Sequence, residues 1–192
     1  MTNKLHELVL RLSTRRNFLI LLAIFVGLNL FLAGPVSPFS RLQAMSGGAS
    51  LLDLQFLYSP DEAYELLTAY GVNGRAFYLS VLAPIDLVTP LLMALFLAIT
   101  LSMALQGAFP ADSRWQKLAL LPFVAMLGDY LENMAIVALM LAYPIRLDGV
   151  AVMAALFTAV KFIFTIASVG SIILASAIRL GQRERAPKAG TR

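Results

Sequence analysis

Four long apolar stretches dominate this chain, and three of them carry ionisable side chains far from either end. The stretches cover residues 17–33, 76–105, 118–142 and 150–180. Each is long enough for a helix across a bilayer, which takes roughly 17–25 apolar residues. Asp86 lies in the second, Asp129 and Glu132 in the third, and Lys161 in the fourth. A charge at mid-membrane depth costs several kcal/mol on insertion scales, so it is kept there for a partner or a task.

The composition agrees. Of 192 residues 59% are hydrophobic and 14% charged, with a mean hydropathy of +0.80, which belongs to a polytopic membrane protein and not to a soluble domain. The expected fold is all-α, a bundle of four transmembrane helices. A net charge of +4 could suggest nucleic acid. The basic residues sit at the ends of the apolar stretches, however, where membrane topology accounts for them, and no nucleic-acid partner is expected. With no cysteine, disulfides and thiolate chemistry drop out. The single histidine, His6, precedes the first span and reads as a solvated residue of the N-terminal segment 1–16. The first stretch follows basic residues as a signal peptide would, but it is long for one and "LFLAG" is a poor cleavage site, so a retained helix is expected.

Orientation follows from Lys and Arg. Eleven lie in the N-terminal segment, the 106–117 loop and the C-terminal tail, against Arg41, Arg75 and Arg146 on the opposite side. The positive-inside rule then puts both termini in the cytoplasm, in an inner membrane, with the 34–75 loop outside. A basic tail, 181–192, is expected beside anionic lipid.

The outer loop carries its own structural signals. In "SPDEAYELLTAYG", Ser59 is a helix cap with Glu62 three residues on, Pro60 opens the helix, and Gly71 stops it. Tyr64, Leu67 and Tyr70 share one side, which predicts a short amphipathic helix. "SGGAS" (46–50) reads as a bend, and Pro84 and Pro90 predict a kink in the second span.

Counting inward at about 1.5 Å per residue places Asp86, Asp129, Glu132 and Lys161 roughly 15–21 Å from the outer boundary, near one level. Asp129, Glu132 and Asn133 occupy one helical face, and Arg75, Tyr78, Asp86 and Thr89 form a stripe leading to the outer surface. Tyr78 and Tyr130 are candidate hydroxyl donors. Three readings stay open. A clamp, with Lys161 paired to Asp86 or Asp129, would hold helix register. Three acids against one lysine suggest instead an outward-facing site for a proton, a cation or a small amphiphilic ligand, with Arg75 and Tyr78 at its mouth and Asp86, Asp129, Glu132, Asn133 and Lys161 below. A carboxyl pair could also serve an intramembrane lipid-modifying enzyme. A clamp predicts that losing Asp86 or Lys161 destabilises the fold. A site predicts that Glu132→Gln leaves folding nearly intact. No metal site and no cofactor are expected, and the expected partners are membrane lipids and a small cationic or amphiphilic molecule. A role as an assembly subunit, using the small residues of 167–177, is a further alternative.

The elements "YSPDEAYELLTAYGVNGRAFY", "DLVTP" and "GDYLEN" resemble a set of four-helix bacterial integral membrane proteins, from about Asp53 onward. Gly74-Arg75 with Tyr78, Asp86 with Pro90, and Asp129-x-x-Glu132-Asn133 carry that resemblance, which implies the architecture but no activity. Four-helix sterol-isomerase-like and sigma-2-type proteins are a looser parallel, in which acidic residues line a pocket for amphiphilic cations. "LGD" at 127–129 is similar to an element of intramembrane aspartyl proteases, but Met126 stands where its first glycine belongs.

Overall fold

The computed structural model describes residues 2–185, all-helical apart from turns and loops. Seven α-helices follow in order: α1 (Thr2–Leu12), α2 (Arg15–Leu32), α3 (Pro38–Met45), α4 (Pro60–Phe77), α5 (Ala83–Ala108), α6 (Leu121–Ala142) and α7 (Asp148–Arg185). Four helical stretches are long and apolar enough to cross a membrane: Arg15–Leu32, Pro60–Ala108, Arg114–Ala142 and Asp148–Gln182.

The start of α4 forms as its residues dictate. Ser59 Oγ accepts the Glu62 amide while Glu62 accepts the Ser59 amide at 2.7 Å, a closed capping box. Tyr64, Leu67 and Tyr70 are buried and Asp61, Glu62 and Glu65 are exposed, so the amphipathic face points inward. At Gly71 the backbone turns to φ 63°, a left-handed value that only glycine adopts at little cost, and the chain enters the second span there. The expected kink takes the form of a widened, π-type turn at Tyr78–Leu82. It lies where the ring of Pro84 would otherwise meet the carbonyl four residues back.

Helices α5, α6 and α7 form the body of the bundle, and α2 packs chiefly on α5. Along α7 the buried side chains Ala151, Ala154, Ala155 and Thr158 recur at helical spacing and present a small-residue stripe. Gly128 of α6 faces that helix further along. A Cβ there would lie 3.1 Å from the Lys161 amide nitrogen and 3.2 Å from the Phe157 carbonyl oxygen. At the end nearer the termini, Ser168 and Ala175 are the buried members of the 167–177 small-residue run.

Two apolar clusters result. One joins the loop elements (Leu42, Leu52, Leu67, Tyr70) to Ile136, Leu139 and Ala154. The other joins Val9, Leu101, Leu105, Ala119 and Ala175 near the termini. The charged layer lies between them.

Three segments depart from expectation. Residues 2–16 are not a plain solvated segment: α1 lays Val9 into the second cluster, and His6 Nε2 lies 3.1 Å from the Gln116 carbonyl oxygen. Helix α7 continues to Arg185, into the segment expected as tail, and 186–192 lie outside the described residues. The 34–59 segment turns back into the bundle, its Leu42, Leu51 and Leu52 at most 3% exposed. Gly47 and Gly48, both at positive φ, make its bend. The burial of Leu42, Leu51 and Leu52 against the bundle holds it there.

Candidate functional site

Lys161 organises the layer. Its Nζ lies 2.6 Å from Glu132 Oε2 and 3.6 Å from Asp129 Oδ1, and donates to the Asp53 carbonyl oxygen at 2.9 Å. Helix α7 can bring its lysine this close because Gly128, one residue before Asp129, has no side chain to hold the two helices apart. Glu132 is fully buried, and its other oxygen accepts from Thr158 Oγ1 at 2.7 Å. Asn133 Nδ2 donates to Asp129 Oδ1 at 3.2 Å, the i, i+4 contact that the sequence spacing allows.

Asp86 is 7% exposed and forms no ion pair with Lys161, although the two line the same cavity. Of the two clamp partners expected for Lys161, Asp129 lies at 3.6 Å and Asp86 is left to the cavity, while the short contact goes to Glu132, expected to be free of the clamp.

Tyr78 is buried and stacked on Tyr70 at 6.4 Å between ring centroids, with its hydroxyl unpartnered in the bundle interior. Arg75 is not brought to the site. Its guanidinium caps the Leu67 carbonyl at 2.7 Å and stacks 3.9 Å above the Tyr143 ring, which satisfies it at the loop surface. Tyr130 donates to the Leu87 carbonyl at 2.8 Å, in a groove between α5 and α6.

A fourth acid in the cluster, Asp53, was missed from sequence. It lies on the 3₁₀ turn Leu52–Leu54, and its Oδ1 is buried without a hydrogen-bond partner. Burial pushes its carboxyl above the ordinary range, and the Lys161 charge opposes that shift. The signal was present: a lone acid inside "LLDLQFL" has apolar neighbours that cannot all face water. Tyr70 fastens this turn, donating to the Ser50 carbonyl at 2.8 Å and accepting the Leu52 amide at 3.1 Å.

Beside the cluster lies a cavity of about 230 Å³. Its polar wall is Asp53, Asp86, Asp129 and Lys161, flanked by Thr89 and Thr165. The rest is apolar, with Met93, Leu97, Ala125 and Met126 among its lining. Phe39, Asp53 and Leu54 lie across it at the loop end, where the sequence pointed to an open mouth. Among the described residues no three His, Asp or Glu side chains converge as a metal-ion site.

Glu132 and Asp129 thus face one ammonium, with the carboxyl groups of Asp53 and Asp86 on the same cavity wall. A single cation compensates a single buried carboxylate, so the other acids rest there either neutral or with a further cation among them. No protein-family model matches this chain, and neither a curated protein nor a solved structure does.

Proposed function

We propose that this is a four-span membrane protein with both termini on the cytoplasmic side, and that its central cavity binds a small amphiphilic cation. The carrying observation is the surplus of acids, Asp53, Asp86 and Asp129 beside a single Lys161, on the polar wall of a cavity whose remaining lining is mostly aliphatic and aromatic. A cationic headgroup suits the carboxylates, and a short apolar group suits the remainder. Lys161 compensates Glu132. Asp86 is the acid to test because it lines the cavity without pairing to the lysine.

The test is calorimetric titration of octyltrimethylammonium into protein held in lipid nanodiscs. Saturable binding weakened tenfold or more by Asp86→Asn, with melting temperature unchanged, supports the reading. Absence of saturable binding to the wild type sinks it. A second reading has its own observation. Lys161 ties α6, α7 and the folded-back loop together, so the layer can serve as a structural clamp alone. That reading expects no binding, and Asp86→Asn would then change stability only.

A further inference from the structure

The central cavity has a neighbour. A smaller cavity of about 160 Å³ lies between α2 and α5 and shares Leu32, Thr89, Pro90, Met93 and Asp129 with the central one. Its other wall comes from α2: Phe25, Leu28 and Asn29. The two spaces therefore adjoin along Asp129, whose side chain is 23% exposed while Glu132 behind it is fully buried.

Helix α2 is the loosest of the long helices. None of its residues is buried, and it leans on α5 through Phe18 and Phe25, whose rings stack on Phe96 at 6.1 and 4.7 Å. Its apolar run is interrupted near the loop end by Asn29, whose amide donates back to the Phe25 carbonyl at 2.8 Å. A polar side chain on this groove, one wall away from Asp129, suits a headgroup passing out of the bilayer. At the loop end the cavity is lined by Phe39, Asp53 and Leu54, and toward the termini Ala98 and Leu101 are fully buried.

We propose that the central cavity is reached sideways from the bilayer, through the groove between α2 and α5 past Asn29 and Asp129. Its ligands are then lipid-dissolved amphiphiles that carry the positive headgroup inward. This ligand class rests on the binding reading above, whereas the route is testable without any ligand.

The chain has no cysteine, so one introduced thiol reports on the cavity alone. Met126 lines the central cavity and not the groove, and Leu28 lines the groove and not the central cavity. Met126→Cys protein in liposomes is treated with a long-chain alkyl maleimide dissolved in the bilayer, or with a membrane-impermeant charged maleimide in the water. Labelling is normalised to that in dodecyl sulfate. The expected result is faster labelling from the lipid phase, slowed fivefold or more by Leu28→Trp and likewise by Asn29→Trp, with melting temperature retained. Faster labelling by the water-soluble reagent, or lipid-phase labelling indifferent to both tryptophans, overturns the lateral route. Lateral labelling without octyltrimethylammonium binding keeps the route and removes the proposed function, so the two fail separately.

Discussion

Removing the Lys161 ammonium is the sharpest test of how this core is held. At 2.6 Å and an effective dielectric near 20, the Glu132–Lys161 attraction is about 6 kcal/mol before desolvation is charged against it. Lys161→Met leaves Glu132, fully buried, with only Thr158 as a partner, and removes the cation 3.6 Å from Asp129. Deleting one member of a buried pair costs about 3–5 kcal/mol, because the remaining charge stays uncompensated. Lys161→Met with Glu132→Gln keeps an acceptor for Thr158 and deletes the orphaned charge. It should regain about 2 kcal/mol of that loss. The remainder reflects Asp129 and the Asp53 carbonyl, each without its former donor. Unfolding free energies of the wild type, both single variants and the double variant, titrated with dodecyl sulfate in mixed micelles, give the coupling directly. If Lys161→Met does not fold, a folded double variant is the same result in stronger form. Additive losses, with coupling under about 0.5 kcal/mol, would refute the account of Lys161 as the compensating charge.

Further outcomes follow from other contacts. Gly128→Ala places a methyl 3.1–3.3 Å from atoms of α7, two of them backbone, and should cost up to about 2 kcal/mol net of the alanine's helix preference. Gly170→Ala meets open space and should be neutral or stabilising, and melting temperatures that rank the two the other way would contradict the packing. Tyr70→Phe removes the acceptor of the Leu52 amide, and a loss of about 1.4 kcal/mol corresponds to tenfold faster hydrogen exchange at that amide. Unchanged exchange would show that the turn is held otherwise. Asp53 is held above its ordinary 3.8 by burial, against Lys161, with Tyr58, Tyr70 and Tyr78 also facing it. As pH rises above 3.8 the unfolded chain releases this proton before the folded one does, so the group's contribution to stability falls until the folded value is passed. The melting temperature of Asp53→Asn minus that of wild type should therefore grow as pH rises above 4, and a constant difference would argue against a buried acid.

The helices were legible because hydrophobic length, capping and glycine signals are local. Ser59, Glu62 and Gly71 do what their positions predict, and Tyr64, Leu67 and Tyr70 are buried together as their spacing requires. The meeting of Asp129, Glu132 and Lys161 was legible as well, since antiparallel helices of known rise bring residues at equal depth to one level. Asp53 and Arg75 were not, for a shared reason. A folded-back loop has no periodicity to give its depth, so Asp53 went unseen. Arg75 was assigned by stripe alone, but the break at Gly71 and the widened turn at Tyr78–Leu82 alter the register on which a stripe depends. His6 failed similarly, because its partner Gln116 lies 110 residues away.

Lys161 has three oxygen neighbours: Glu132 and Asp129 as ion pairs and the backbone oxygen of Asp53 as a hydrogen bond. The site thus comes with a resident cation already held on three sides. A visiting cation that met Asp129 as well as the unpaired Asp86 would take over one of the lysine's contacts, while the lysine relaxes toward the others. The longest, to Asp129, is the first to yield, and it is the one beside the groove. The attachment to Asp53 is of another kind, since it anchors the loop that lies across the cavity. Occupancy that drew the lysine away from that oxygen would be felt as slack in the loop. One side chain would then act as both counterion and latch.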